Sequence, residues 1–515
     1  MSRAQRLKTP IDPERPEDER MPVGSAFAYG LQHVLTMYGG IIAVPIIIGG
    51  AAGLGSGEIA ILLASCLFIG GLATLLQTVG IPFFGSKLPL VQGVSFAAVA
   101  TMLSILNQGS GIQAVFGAVL VASIIGLVIA PFFARIVRLF PPIVTGIIIT
   151  TIGLTLIPVA AGWIVGNNPD AVDYADPSNI ALAGITLAII MLLSKVGNAT
   201  ISRLSILIAL VLGTGVGALM GKVDFSGVFE GPYVAFPNPF HFGLPQFEPA
   251  AIFSMVIVIL VIMTETTADL IAIAEITGSK MDSKRIAAGL RADMLSSAVS
   301  PVFNSFTQSA FAQNVGLVAV TKIKSRWAVA AGGVIMVVLG LLPVLGRLVA
   351  AIPMPVLGGA GIVLFGTVTA SGIRTLSKVS YRDNMNLIIV ATAVTFGVLP
   401  VVNHDIYSNF PSWFQVIFDS GISSAAIMAV LLNLLFNEFR FGTPKDPSVF
   451  AAAPTRQIPI QVIDCLQEGD RCVDGKIVDA DDNEVVLVDS DGNEIDVPGS
   501  DAADSSEPPK NSPAS

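Results

Sequence analysis

Long apolar runs separated by short polar loops dominate the chain. They fall at residues 26–50, 58–80, 89–106, 112–133, 141–161, 180–194, 204–220, 250–274, 286–302, 308–321, 327–346, 352–372, 384–402 and 421–437. An unbroken helix needs roughly 20 apolar residues to cross a bilayer, so the shorter runs need an independent check, which the basic residues supply. If all fourteen runs cross and the N-terminus is cytoplasmic, the inner loops hold Lys87, Arg135, Arg138, Lys195, Arg203, Lys280, Lys284, Arg285, Arg291, Lys322, Lys324, Arg326, Arg374, Lys378 and Arg382, whereas the outer loops hold only Lys222 and Arg347. A miscount by one span midway would invert every later loop and erase this asymmetry. The pattern predicts an all-α polytopic membrane protein with fourteen transmembrane segments and both termini cytoplasmic.

Two of the short runs, Lys87 to Ala100 and Asn304 to Thr321, are third in each set of seven and carry glycine and polar amides where a lipid-depth helix should continue. They read as broken helices. A second match joins Pro142-Ile-Val-Thr-Gly146 to Pro355-Val-Leu-Gly-Gly359, fifth in each set. Because seven is odd, the second set must sit upside down relative to the first, a seven-plus-seven inverted repeat. Discontinuous helices at matching positions of such a repeat point to a binding site at the membrane midplane, where unwound backbone and half-helix N-termini offer N–H groups to a ligand. The competing reading is that the glycines only permit close helix packing.

Composition agrees with this architecture: 53% of residues are hydrophobic and 13% charged, about half the charge of an ordinary soluble domain. The net charge of -9 arises in the tail, since residues 439–515 hold 16 Asp/Glu against 6 Lys/Arg and the remainder is nearly balanced. It therefore implies no basic partner and no nucleic acid. Cys66, Cys465 and Cys472 have unrelated spacings and form neither a disulfide framework nor a zinc site. No cofactor is expected, and the charged, proline-rich first 20 residues do not resemble a cleavable signal.

Carboxylates at membrane depth are costly and thus functional candidates. Glu265 and Asp269, in Thr264-Glu-Thr-Thr-Ala-Asp269, are four apart on one helical face. Repulsion and lost hydration oppose both being charged at once, which can couple proton uptake to ligand binding. Asp293 enters the next span behind Arg291 and can complete the cluster or simply cap its helix. Of three histidines only His33 lies within a span, as a packing residue or a proton carrier. Phe96, after Gly93-Val-Ser95, is placed to stack on a planar ligand or to pack.

The run Gln313-Asn314-Val315-Gly316-Leu317-Val318-Ala319-Val320-Thr321-Lys322 resembles the signature of the nucleobase-ascorbate transporter family, and the likeness extends through Gln32-His33, Ser95-Phe96 and Glu265 to Asp269 over residues 25–437. The resemblance implies core spans 1–4 and 8–11, gate spans 5–7 and 12–14, usually a homodimer, and a substrate held between short strands in broken spans 3 and 10. It implies that Glu265 and Gln313 hydrogen-bond a purine or pyrimidine edge, that Phe96 and Ser95 contribute contacts, that Ala312 lines the strand of span 10, and that Asn314 orients the site. Asp269, Asp293 and His33 would support coupling. Uracil-type members have an acid at the position of Gln313 and a histidine at that of Asp269, and ascorbate-type members have proline at the first signature position, so this chain resembles the xanthine and uric acid permease branch.

The function expected is symport of xanthine or uric acid with protons, or alternatively sodium, across the plasma membrane. A uracil or other nucleobase permease is the alternative. A channel or anion exchanger of the same architecture would favour basic or neutral groups at the broken helices, and a membrane-embedded enzyme would need a nucleophile and base or a metal cluster that the scattered histidines do not supply. Beyond residue 437, the segment Lys476 to Val488 reads as a β-hairpin turning at Asp481-Asp482-Asn483, within an otherwise disordered acidic tail.

Overall fold

The computed structural model describes residues 15–133, 139–381, 385–403, 405–438, 471–473 and 476–478. The chain divides into two compact units, Met1–Ala451 and Ala452–Ser515. In the first, a short 3-10 turn, Pro16–Asp18, precedes α1 (Val23–Ala51) and α2 (Ser56–Thr78). The chain then passes through β1 (Gln92–Val94) and a 3-10 turn into the half-length α3 (Val99–Asn107). There follow α4 (Ile112–Ile129), α5 (Pro142–Thr155), α6 (Ile157–Ile164), α7 (Pro177–Val196), α8 (Ala199–Arg203) and α9 (Ser205–Leu219). A second series begins with α10 (Pro249–Thr277) and α11 (Ser283–Val299), breaks at β2 (Gln308–Ala310), and resumes with the short α12 (Ala312–Thr321). It closes with α13 (Arg326–Gly340), α14 (Pro343–Ala350), α15 (Met354–Leu376), α16 (Met385–Val402), α17 (Ser412–Phe418) and α18 (Gly421–Asn433).

Prolines set many boundaries: Pro142, Pro177, Pro249 and Pro343 are first residues of their helices, where the missing N–H has no intrahelical partner to lose. Among the described residues, eight helices are long and apolar enough to cross a membrane, or ten if the bent pairs α13–α14 (79°) and α17–α18 (80°) each form one span. The architecture is thus helical and polytopic, with two short strands at the expected breaks, while helix length does not by itself reach the expected fourteen. Part of the shortfall lies in Phe96–Asn107 and Ser205–Leu219, which are apolar but short, the first of them following on β1.

The breaks correspond in detail. α1 and α10 are each 29 residues long, and both strands are approached through a left-handed residue, Lys87 (φ 57°) and Asn304 (φ 59°). The strands pair antiparallel, with Gln92 opposite Ala310, Gly93 opposite Ser309 and Val94 opposite Gln308. Ser95 N–H donates to the Thr307 carbonyl (2.9 Å) and Phe311 N–H to that of Val91 (3.1 Å). By the alternation of an antiparallel ladder, the N–H groups of Gln92, Gln308 and Ala310 point outward, where no water waits at membrane depth. Side-chain hydroxyls from three helices accept them: Thr74 of α2 from Gln92 (2.9 Å), Ser297 of α11 from Gln308 (2.8 Å) and Thr266 of α10 from Ala310 (3.5 Å). Ser297 also donates to the Gln308 carbonyl (3.3 Å), while the single Thr74 hydroxyl proton is shared between the carbonyls of Gly70 (2.8 Å) and Gln92 (3.2 Å). α2 and α11 thereby each grip the strand that follows in sequence.

Around the strands, α13 packs against α1 and α2, and α15 against α5, α6 and α7. The first contact depends on glycine: a Cβ on Gly30 would lie 2.5 Å from the Gly332 nitrogen, and one on Gly340 2.4 Å from that of Phe68. Some glycines do serve close packing, as the competing reading held, alongside those at the breaks. In the second unit, β3 (Arg471–Val473) pairs antiparallel with β4 (Lys476–Val478), with Asp474 and Gly475 between them in sequence. Lys476–Val478, expected as the first strand of a hairpin with the segment that follows, is here paired with the segment that precedes it. The expected turn at Asp481 to Asn483, and the rest of the acidic tail, lie outside the described residues.

Candidate functional site

The two strands and the N-termini of α3 and α12 meet where the helices break, and α10 packs against both β2 and α12. The expected site residues separate here by whether their polar groups are already engaged. Asn314 is fully buried on α12, and its side-chain nitrogen lies 3.0 Å from the His33 carbonyl and 3.1 Å from His33 Nδ1. A carbonyl only accepts, so the group facing it must be the amide NH2; His33 Nδ1 then accepts the second hydrogen and a neutral ring carries its proton on Nε2. This pair ties α12 to α1. Asp293 is likewise buried, accepting from Thr266 Oγ1 (2.7 Å) and from Gln77 Nε2 (3.5 Å). Because Thr266 also takes the Ala310 N–H, Asp293 orients the hydroxyl that holds β2. Both residues are buttresses. Ser95 accepts from the Ala97 N–H (3.2 Å), capping the turn that leads into α3.

Glu265, Asp269 and Gln313 differ. Neither carboxylate makes a hydrogen bond or ion pair among the described residues, although the intervening Thr266 and Thr267 are both engaged. Glu265 and Asp269 are half-buried on one face of α10, one turn apart, and Gln313 is exposed in the first turn of α12, beside the likewise exposed Ala312. Gln313 opens into a cavity of about 290 Å3, near the low end of the range for small-ligand sites. The cavity lies between α1 and α12 on one side and α8, α9 and α15 on the other, with Gly40, Phe311, Gly316 and Arg203 in its wall. Glu265 and Phe96 are not part of this wall. Phe96 comes near it through Gly40, since a Cβ there would lie 3.5 Å from the Phe96 ring and 2.9 Å from that of Phe311. Phe96 also meets Phe365 edge to face at 6.1 Å. A larger open depression of about 690 Å3, lined by Lys280, Met281, Asp282, Lys284 and Arg285, lies at the α10–α11 loop, apart from the strands.

Sequence reasoning missed three kinds of residue. Phe311, wedged so that a Cβ on Gly93 would lie 2.7 Å from its ring, is one more phenylalanine in an apolar run. Thr74, Ser297 and Thr266 look like the ordinary hydroxyl residues of membrane helices. Arg203 counted only as an inner-loop charge.

The chain as a whole is similar to known proteins. The family model Xan_ur_permease, described as a permease family, matches residues 24–406. The chain belongs to the nucleobase-ascorbate transporter family. It is 40% identical over 435 residues to the uric acid transporter UacT of Escherichia coli (strain K12), covering 83% of this chain and 90% of that one. It is 39% identical over 416 residues to the xanthine permease of Bacillus subtilis (strain 168), covering 81% and 94%. Among solved structures it resembles the transmembrane domain of a cyanobacterial bicarbonate transporter, BicA (TM-score 0.50, 14% identity, 80% of this chain and 97% of that one). It also resembles the murine anion transporter Slc26a9 in its inward-facing state (TM-score 0.56, 13% identity, 84% and 73%). At such identities those two speak for the fold alone. The family member is a multi-pass membrane transporter and not an enzyme.

Proposed function

We propose that this permease carries an oxidised purine, xanthine or uric acid, into the cell in symport with a proton. Its N- and C-termini are cytoplasmic and it works in the plasma membrane as a homodimer. The observation that carries the reading is the division of polar groups just described: around the broken helices, the Asn314 NH2, His33 Nδ1 and the Asp293 carboxylate are committed to the scaffold, whereas Glu265, Asp269 and Gln313 make no hydrogen bond among the described residues. A neutral amide offers an oxopurine edge both a donor and an acceptor, and Glu265 accepts from a ring N–H. Phe96 covers the flat face, and the N-terminal N–H groups of α3 and α12 face the exocyclic oxygens.

Transport follows from alternating access. The core, α1 to α4 with α10 to α14, moves against the gate, α5 to α9 with α15 to α18, carrying strands, substrate and proton together. A proton bound with the substrate at Glu265 and Asp269 lets the proton gradient drive accumulation. The deciding experiment is uptake of labelled xanthine and labelled urate into cells lacking their own purine carriers, with and without a protonophore. Saturable uptake that collapses with the protonophore is expected, and Glu265→Gln should abolish accumulation. Full accumulation by that variant would remove Glu265 from its role, and protonophore-resistant uptake that requires sodium would replace the coupling ion.

A further inference from the structure

The cavity below the strands holds a charge that the purine-binding reading does not use. Its polar side chains are Gln313, Thr36, Thr367 and Arg203. The two threonines have committed their hydroxyl protons, Thr36 to the Gln32 carbonyl (2.8 Å) and Thr367 to that of Leu364 (2.7 Å). Gln313 and Arg203 remain without a hydrogen bond or ion pair among the described residues, on opposite walls of one cavity. Arg203 ends α8, whose own cap is supplied by Asn198 (3.1 and 2.9 Å to Thr200 and Ile201). The guanidinium lies in the last turn of α8 and makes no hydrogen bond or ion pair among the described residues. The space between is open: a Cβ on Gly316, one turn of α12 past Gln313, would meet nothing within 4 Å.

An unpaired guanidinium across a small cavity from an amide is a site for a planar anion, because its fork of donors matches adjacent acceptor atoms. Oxidised purines are weak N–H acids that carry a delocalised negative charge once a ring proton leaves. We propose that Arg203 is the gate-side recognition group for the anionic form of the substrate, pairing with the purine anion on the inner side of the cavity once its ring proton has passed to cytoplasmic water. This rests on the purine-symport reading. It adds to that reading a distinction: Gln313 and Glu265 read the hydrogen-bonding edge of any oxopurine, whereas Arg203 reads charge.

The test compares wild type, Arg203→Gln and Arg203→Lys in two preparations, intact cells that present the outer face and everted membrane vesicles that present the inner face. Labelled urate serves as the anionic probe and labelled hypoxanthine as the neutral one, with rates normalised to inserted protein. Arg203→Gln should raise the KM for urate in everted vesicles about tenfold, as expected for loss of a charge-assisted contact. The KM for hypoxanthine there, and the urate KM in intact cells, should stay within about twofold, and Arg203→Lys should recover most of the loss. An unchanged urate KM in everted vesicles, or an equal loss for hypoxanthine, overturns the proposal while leaving the symport reading intact. Absence of purine transport by the wild-type protein overturns both.

Discussion

Thr74→Val removes one hydroxyl from the helix behind β1 at almost constant shape. Thr74 and Gln92 are both fully buried, and the Thr74 oxygen accepts the Gln92 N–H while lying within reach of the Gln92 and Gly70 carbonyls (3.2 and 2.8 Å). Valine leaves that N–H orphaned in a place where water cannot substitute, next to a side-chain amide that already lacks a partner on either atom among the described residues. Stranding a buried donor costs about 1–3 kcal/mol, and a ribbon of three-residue strands has little pairing of its own to offset it. The purified protein should show a lower thermal midpoint and the cells a reduced uptake rate per inserted molecule, with Thr74→Ser near wild type because the hydroxyl survives. Ser297→Ala should do the same through Gln308. The double variant should cost less than the sum, since both grips act on one ribbon and neighbouring losses do not add. If Thr74→Val matches wild type in both measurements, or Thr74→Ser is as damaging as valine, the hydroxyl grip is not what holds the strands.

Two further predictions follow from engaged polar groups. Asn314→Asp turns an NH2 that serves both His33 acceptors into an oxygen facing the His33 carbonyl, so uptake at saturating purine should fall by an order of magnitude or more; near-normal rates would dismiss the α1–α12 tie. At the N-terminus, fully buried Glu17 accepts from Arg285 (2.7 Å) and Ser279 (2.6 Å), and Asp18 pairs with Arg326. Glu17→Gln removes the charge from a pair buried on the Glu17 side and partly exposed on the Arg285 side, and should lower the thermal midpoint while leaving the KM for purine unaltered. A midpoint equal to wild type would mean that the segment before α1 clamps nothing.

The helical, polytopic architecture and its two breaks were legible because their signals are strong and one-dimensional: long apolar runs, and glycine with amide residues interrupting two of them. Glu265 and Asp269 were legible for the same reason, since a carboxylate in an apolar run stands out wherever it points. What the chain concealed was the direction of its side chains. Nothing in the string distinguishes Asn314, pinned to His33, from the adjacent Gln313, which faces open space; the two are separated only by their 100° offset around α12. Thr74 and Ser297 were equally silent, because most membrane threonines and serines bond their own helix, as Thr36, Thr78 and Thr150 do. Arg203 was read as topology, and only the meeting of α8 with α12 across a cavity gives it chemistry.

The same hydroxyl logic applies where the proposed core meets the proposed gate. Thr101 of α3 bonds Ser420 at the start of α18 (2.7 Å), Ser254 of α10 bonds Ser423 (3.0 Å), and Ser104 donates to the Val416 carbonyl (3.4 Å), with all four hydroxyl side chains of the first two pairs buried. If core and gate slide past one another, these bonds break once per cycle and favour the conformation that contains them. Thr101→Val removes one bond while sparing the Ser420 cap of α18. A net loss of about 1 kcal/mol should shift the balance between conformations roughly fivefold toward the alternative. Spin labels on α2 and α15 would read that shift as a change in the populations of two distances, and the inner-face KM should move with it. Unchanged populations in both Thr101→Val and Ser254→Ala would mean that this seam does not open during transport, and the division into moving core and fixed gate would have to be redrawn to keep α3, α10 and α18 on the same side.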